Sequence, residues 1–388
     1  MAKTKKVPEL RFGVFTKEWL EKEYSDIAKV RRGLTYHPCN VEVDGIRVLR
    51  SSNIDEDTFI QKQDDIFVNE KAINIDFVKN NDILITSANG SSRLVGKHAI
   101  ITNISGKVVH GGFMLLATAK YPYFVNASMS SRWYGEFINL YVAGGNGAIG
   151  NLNRTDLERQ NLFIPEELEQ IKVGTFFLKL DALIALHQRK HDKLRAVKKS
   201  MLEKMFPKEG ADVPEIRFKG FTGKWEKKRI DHSAPLQRGF DLPKSQMVNG
   251  LFPVITSNGI NGFHSKSKVK GPGVVTGRSG TIGNLQYIES DYWPHNTALW
   301  VTDFKGNYPR YVYYMYFRLD LKRFATGSGV PTLNRNDVHT QIIHICNREE
   351  QIQISAFFQH LDSLISLHQQ ELDKLKNIKK ACLEKMFV

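Results

Sequence analysis

The chain has 388 residues, 41% of them hydrophobic, with 55 Lys and Arg against 41 Asp and Glu for a formal net charge of +14. That length and apolar content supply two or three domains with real cores and exclude a disordered chain. The cationic excess points to a polyanionic partner, nucleic acid first, because clustered Lys and Arg release counterions condensed on phosphates.

Charge alone does not decide, since many bacterial-type proteins are simply basic. Cys39, Cys346 and Cys382 stand far apart, with neither a CxxC pair nor an even count, which excludes a disulfide scaffold and fits a reducing cytoplasm. The N-terminal MAKTKKVPEL lacks the apolar run of a signal peptide, and no stretch approaches the ~18 uninterrupted apolar residues of a membrane span. A cytoplasmic chain without a membrane partner is expected.

Along the chain, residues 7–19, VPELRFGVFTKEW, recur as VPEIRFKGFTGKW at 213–225, an offset of 206. Short β-branched and aromatic runs punctuated by turns follow the first copy: RVLRSSN, DDIFV, NDILITSANGSS, KHAIIT, FMLLATA and EFINLYVAGG, read as strands and loops. GGNGAIG then holds a literal GxGxxG at Gly145, Gly147 and Gly150. No amphipathic helix follows, and the equivalent TGSGVPTLNR puts Pro331 at the third glycine, so a Gly-rich loop fits better than a dinucleotide cradle.

A second repeat, LNRTDL at 152–157 through LEKMF at 202–206, recurs as LNRNDV at 333–338 through LEKMF at 383–387, an offset of 181. Between residues 169–206 and 350–387, 22 of 38 positions are identical. Asn153 and Asn334 read as turn caps, with Arg154 and Arg335 able to pair with Asp156 and Asp337. Residues 166–206 then lack Pro and, apart from Gly174, Gly. Phe177, Leu180, Ile184, Leu194, Met201 and Met205 recur at spacings of three and four, as do Phe358, Leu361, Ile365, Leu372, Leu375, Cys382 and Met386.

Two long amphipathic helices are expected, bounded by Pro165 and Pro207 in the first copy and each needing a partner along its length. His187 and His368 interrupt both seams at the same place, as do Lys198 and Lys379, and the histidines read as interhelical hydrogen-bonding groups, not metal ligands. The basic last turns, Lys198, Lys199 and Lys204 with Lys379, Lys380 and Lys385, complement the helix dipole. The second insert offers LFPVITSNG, GVVTGRSGTIG and TALWVTD as strands, while RYVYYMYF suits either a strand or a helix with an aromatic stripe.

The frame is therefore constant and its inserts differ, the first being longer by the 25 residues that separate the two offsets. The expected fold is α+β: two β-rich mixed recognition domains separated by two long antiparallel helices packed as a coiled coil, in a pseudo-two-fold internal repeat. The divisions fall at 1–165, an N-terminal arm and first recognition domain; 166–207, a central spacer helix; 208–347, a linker and second recognition domain; and 348–388, a C-terminal spacer helix.

Variable inserts entered through a VPEIRFKGFTGKW-like segment and left through LNRxDL and an FFxxLDxLIxLHQ helix ending LEKMF resemble the specificity subunits of Type I restriction-modification systems over essentially the whole chain. The resemblance implies that each insert reads one half of a bipartite target on double-stranded DNA. It implies that the helices fix the separation and dock two modification subunits, which methylate adenine with S-adenosylmethionine, and that restriction subunits using ATP and Mg join them. It implies no cofactor or catalytic residue in this chain.

Loops rich in Arg, Lys, Asn, Ser and Gly are the candidate DNA contacts, because such side chains hydrogen-bond base edges and phosphates. In the first insert these are Arg31, Arg32, Ser87, Asn89, Ser91, Ser92, Arg93 and Lys97. In the second they are Gln237, Arg238, Lys244, Ser257, Asn258, Asn261, Lys266, Lys268, Arg278, Ser279 and Thr281. A stand-alone enzyme acting on DNA and a pure coiled-coil assembly scaffold are the alternatives. The chain has no phosphate loop, no NPPY-like methyltransferase motif, no HExxH and no Cys/His metal spacing, which disfavours the former, and a scaffold needs no basic, turn-rich inserts.

Overall fold

The computed structural model describes residues 6–142, 150–327, 329 and 331–388. Gly145 and Gly147 of the Gly-rich string lie outside them. Two compact units divide the chain, one of residues 1–187 with 370–388 and one of residues 188–369.

In the first unit, strand Leu20–Glu23 pairs antiparallel with Asn161–Ile164, joining the entry and exit of the insert. A four-stranded sheet follows in the order Ala28–Arg32, Met114–Ala119, Ile83–Thr86, His98–Ile100. A second sheet runs Val108–His110, Ile46–Leu49, Ile66–Val68, Val41–Glu42, its first pair parallel. The alternation of the central strands is replaced by continuous burial, as Ile83, Leu84, Ile85 and Thr86 show, because both faces of the sheet are covered. Helices Pro122–Met129 and Arg132–Tyr141 cover one of those faces, packing Phe124, Val125, Tyr134 and Phe137 against Val30, Ile83 and Ile85.

The second unit repeats this plan with one strand fewer in its other sheet, although its insert shares almost no sequence with the first. Glu226–Arg229 pairs with Ile342–Ile345. The sheet order is Leu236–Arg238, Ala298–Val301, Gly273–Gly277, Gln286–Ile288. The other sheet is Gly259–His264, Phe252–Thr256, Trp293–Pro294, its last pair again parallel. One helix, Pro309–Leu319, lies where the first unit has two.

Two readings of the inserts change. EFINLYVAGG, expected in strands and loops, falls largely within helix Arg132–Tyr141, where Arg132 pairs with Glu136 one turn on and Tyr134, Phe137 and Tyr141 form a stripe of rings tilted against one another. RYVYYMYF resolves as a helix: Pro309 occupies its first turn, and Tyr311, Val312, Tyr314, Met315 and Tyr316 are buried.

The long helices run Glu167–Lys204 and Arg348–Lys385, 38 residues each and offset by 181 at both ends. Their seams keep heptad spacing throughout, 177, 180, 184, 187, 191, 194, 198, 201, 205 in one and 358, 361, 365, 368, 372, 375, 379, 382, 386 in the other, with His187, His191, Lys198, His368 and Lys379 as the polar positions. In the first unit Asp181 Oδ1 receives Lys379 Nζ at 2.9 Å, and the Phe177 and Phe387 rings lie 5.8 Å apart. In the second, Lys198 pairs with Asp362, which also accepts from Tyr314 Oη at 2.8 Å, and Phe206 stacks on Phe358. Within each unit the helical segments are therefore antiparallel, and the seam lysines meet the same repeat aspartate.

Each duplicated arm is locked onto a helix start. Arg11 donates from Nε and Nη2 to Glu169 at 2.7 and 2.6 Å, and Arg217 does so to Glu350 at 2.7 and 2.8 Å. Both carboxylates are essentially inaccessible to solvent, and the bidentate geometry supplies hydrogen bonds that water would otherwise make. Leu10 N donates to Lys385 O at 2.8 Å as Ile216 N does to Lys204 O at 2.9 Å. Gly174 sits where a side chain would strike Phe124 N at 2.7 Å, so this helix position must stay bare for the Pro122–Met129 helix to approach.

Candidate nucleic-acid interface

In each unit three connections converge on one rim. In the first these are residues 50–52 after Ile46–Leu49, residues 87–97 after Ile83–Thr86, and Gly111, Gly112 and Phe113 before Met114–Ala119. Gly111 N donates to Leu49 O at 2.8 Å, Ser87 N and Ala88 N to Phe113 O at 2.9 and 3.1 Å, and Leu152 N to Ser87 O at 2.7 Å. The second unit makes the same bonds: His295 N to Ile255 O at 2.8 Å, Arg278 N and Ser279 N to Thr297 O at 2.9 and 3.2 Å, and Leu333 N to Arg278 O at 2.7 Å. Ser51, Ser52, Ser87 and Phe113 thus correspond to Ser257, Asn258, Arg278 and Thr297.

A close backbone approach closes both rims. Leu34 bridges Gly111 and Phe240 bridges His295, each in parallel. A Cβ on Gly33 would lie 2.0 Å from Gly111 O, and one on Gly239 2.2 Å from His295 O, so only glycine fits either position. Arg32 and Arg238 immediately precede these glycines and are exposed. In the R-G pair the inserts share sequence for a common structural reason.

Of the first-insert candidates, Ser87 is buried at the rim, and Asn89 donates to Ser51 Oγ at 2.9 Å while its Oδ1 accepts from Ser91 N at 2.9 Å. Ser91, Ser92 and Arg93 form the exposed tip of the same loop, and Lys97 begins its return. Arg31 turns elsewhere: its guanidinium lies 3.4 Å from Asp76 and 3.5 Å from Asp82.

In the second insert Ser257, Asn258, Arg278, Ser279 and Thr281 come together. Thr281 Oγ1 donates to Asn258 Oδ1, and Ser257 N donates to Thr297 Oγ1 at 3.3 Å. Gln237 and Arg238 border them, Arg238 reaching Asp241 at 3.1 Å. Burial pushes the nearby His295 below its ordinary pKa, and its Nδ1 lies 3.0 Å from Thr297 Oγ1. Lys244, Asn261, Lys266 and Lys268 sit on neighbouring exposed segments, not among these side chains, and Lys268 lies over the Trp293 ring at 5.0 Å.

Arg50, Ser51, Ser52 and Phe113 were missed. RSSN at 50–53 has the same Ser/Asn/Arg density that marked residues 86–97, and that signal points to it equally well. Phe113 carries no such signal. Asn153 and Asn334 are caps, accepting from Thr155 N and Asn336 N at 3.0 Å each. Arg154 pairs with Glu158 at 2.8 Å, not Asp156, because a helical turn brings i and i+4 together. No described helix is long and apolar enough to cross a membrane.

Residues 222–377 match the family described as "Type I restriction modification DNA specificity domain". The chain is 23% identical over 133 residues to the "Type I restriction enzyme EcoprrI specificity subunit" of Escherichia coli, covering 34% of this chain. The match spans about a third (32%) of that relative's length. The fold is similar to that of the Type I restriction-modification system S subunit from M. genitalium, with TM-score 0.69, 14% identity, and coverage of 98% of this chain and 99% of the other.

Proposed function

Residues 222–377 match the Type I restriction modification DNA specificity domain family, and from that match we propose that the chain is the non-catalytic specificity subunit of such a system, acting in the cytoplasm. Each unit reads one half of a bipartite target on double-stranded DNA. The paired helices fix the distance between the halves and dock two modification subunits, to which restriction subunits attach. S-adenosylmethionine, ATP and Mg belong to those partners.

One observation carries this reading: two rims built by the same backbone hydrogen bonds present different side chains, Ser87 and Phe113 against Arg278 and Thr297. A constant scaffold with exchanged tips is what base-edge readout needs, because each base pair shows its own donor and acceptor pattern in the major groove. The helices meet unchanging partners, which accounts for their 22 identical positions in 38.

The test is to map methylated adenines in cells carrying the chain with its modification subunits, then exchange residues 230–338 for the insert of another such protein. One half-site should change and the other persist. Turnover of DNA by the purified chain alone, or exchange without any change in the methylated sequence, contradicts the reading.

A further inference from the structure

The three connections of the first unit's rim enclose a cleft of about 730 Å³ whose lining includes Tyr36, Arg50, Ser52, Asn89, Gly112 and Phe113. Arg50 is its one charged lining residue among those described, and no carboxylate lines it. Arg50 Nε and Ser52 Oγ are buried there without a hydrogen-bond partner among the described residues. A buried donor left unpaired costs free energy that a partner recovers, so the cleft suits an acceptor that arrives from outside.

Phe113 stands at the mouth with 74% of its surface exposed. Its backbone carbonyl is held by Ser87 N and Ala88 N, so the ring is presented from a fixed position and not from a loose tip. At the matching place the second unit has Thr297, whose hydroxyl is already engaged by Ser257 N and by His295. An outward aromatic beside an unpaired guanidinium nitrogen, with no acid nearby, fits a flat ligand that offers acceptors on one edge and an apolar group next to them.

We propose that this cleft takes a base-pair edge of the first unit's half-site, Arg50 donating to the acceptor edge of a guanine and Phe113 packing on the 5-methyl of an adjacent thymine. Guanine offers O6 and N7 side by side to one guanidinium, and the thymine methyl is the apolar feature of the major groove. This rests on the reading of the chain as a specificity subunit and names the residues that set one half of its target.

The experiment uses the complex with its modification subunits. Methylated sites are mapped, and binding to oligonucleotide duplexes is measured, for the native chain, Phe113→Ala and Arg50→Lys. Lysine keeps the charge but loses the two-pronged donor geometry. The expected result is a fall of roughly tenfold to a hundredfold in discrimination at one guanine for Arg50→Lys, and lost preference for thymine over cytosine beside it for Phe113→Ala, the other half-site being unchanged. Substituting 5-methylcytosine at that position restores binding to the native chain.

Unchanged discrimination in both variants overturns the proposal while the specificity-subunit reading stands. Equal loss at both half-sites overturns it too, since Phe113 is mostly exposed and its truncation leaves the core intact. A native complex without any bipartite methylation pattern removes the reading itself.

Discussion

His110 ends the parallel strand beside Ile46–Leu49 with no exposed surface and with neither ring nitrogen hydrogen-bonded among the described residues. Burial lowers its pKa from 6.5 to about 4, so the folded chain holds it neutral. In the unfolded chain the ring takes a proton near 6.5, which places its contribution to stability fully above that value and removes it as pH falls toward 4. The loss amounts to about 3 kcal/mol across that window. Thermal melts between pH 7 and pH 4 should steepen through this range and be flatter for His110→Gln; parallel curves would rule out His110 as the titrating group. Residues whose role is local were readable from sequence, as Asn153 and Asn334 were from their short acceptor side chains. Arg31 and Phe113 were not: the partners Asp76 and Asp82 lie far along the chain from Arg31, and the mouth that exposes Phe113 exists only once Gly33 meets Gly111.

At the level of elements, the arms and the helix starts form two copies of one clamp. Removing a carboxylate from a buried ion pair strands the other charge, so Glu350→Ala and Glu169→Ala should each cost about 3–5 kcal/mol. Urea unfolding of the two variants measures this, and a cost under 1 kcal/mol would mean that water replaces the lost oxygens. The seam pair Lys198 and Asp362 is mostly buried on the lysine side, 13% exposed against 36%, and Tyr314 shares the aspartate. A double-mutant cycle should therefore return a coupling of about 0.5–3 kcal/mol, and a null cycle would assign the pair no role in pairing the helical segments. The long helices were legible because threes and fours repeat over ten turns, far beyond chance. EFINLYVAGG was not, because a short apolar run carries no period of its own, and the Arg132 to Glu136 turn that settles it begins upstream. RYVYYMYF is apolar or aromatic at almost every position, so only packing on the sheet selects the helix.

For the molecule as a whole, the continuous heptad spacing sharpens what the proposed spacer must do when its length changes. Seven residues restore the seam after two turns, whereas four advance it by about 40° and turn the next apolar side chains partly off the contact line. Seven residues inserted after His187 and again after His368 add about 10.5 Å to the helices, close to three base pairs at ~3.4 Å each. Four added at both places give about 6 Å, one or two base pairs, with the seam beyond the insertion out of register. Methylation mapping should thus show a spacer longer by about three pairs in the first variant, with both half-sites intact and a melting temperature near the native value. The four-residue variant should lengthen the spacer less and melt lower. Altered half-site bases in either variant would separate the helices from the spacing they are proposed to set, because nothing in the rims at residues 50–52, 87–97 or 278–281 belongs to the inserted segments.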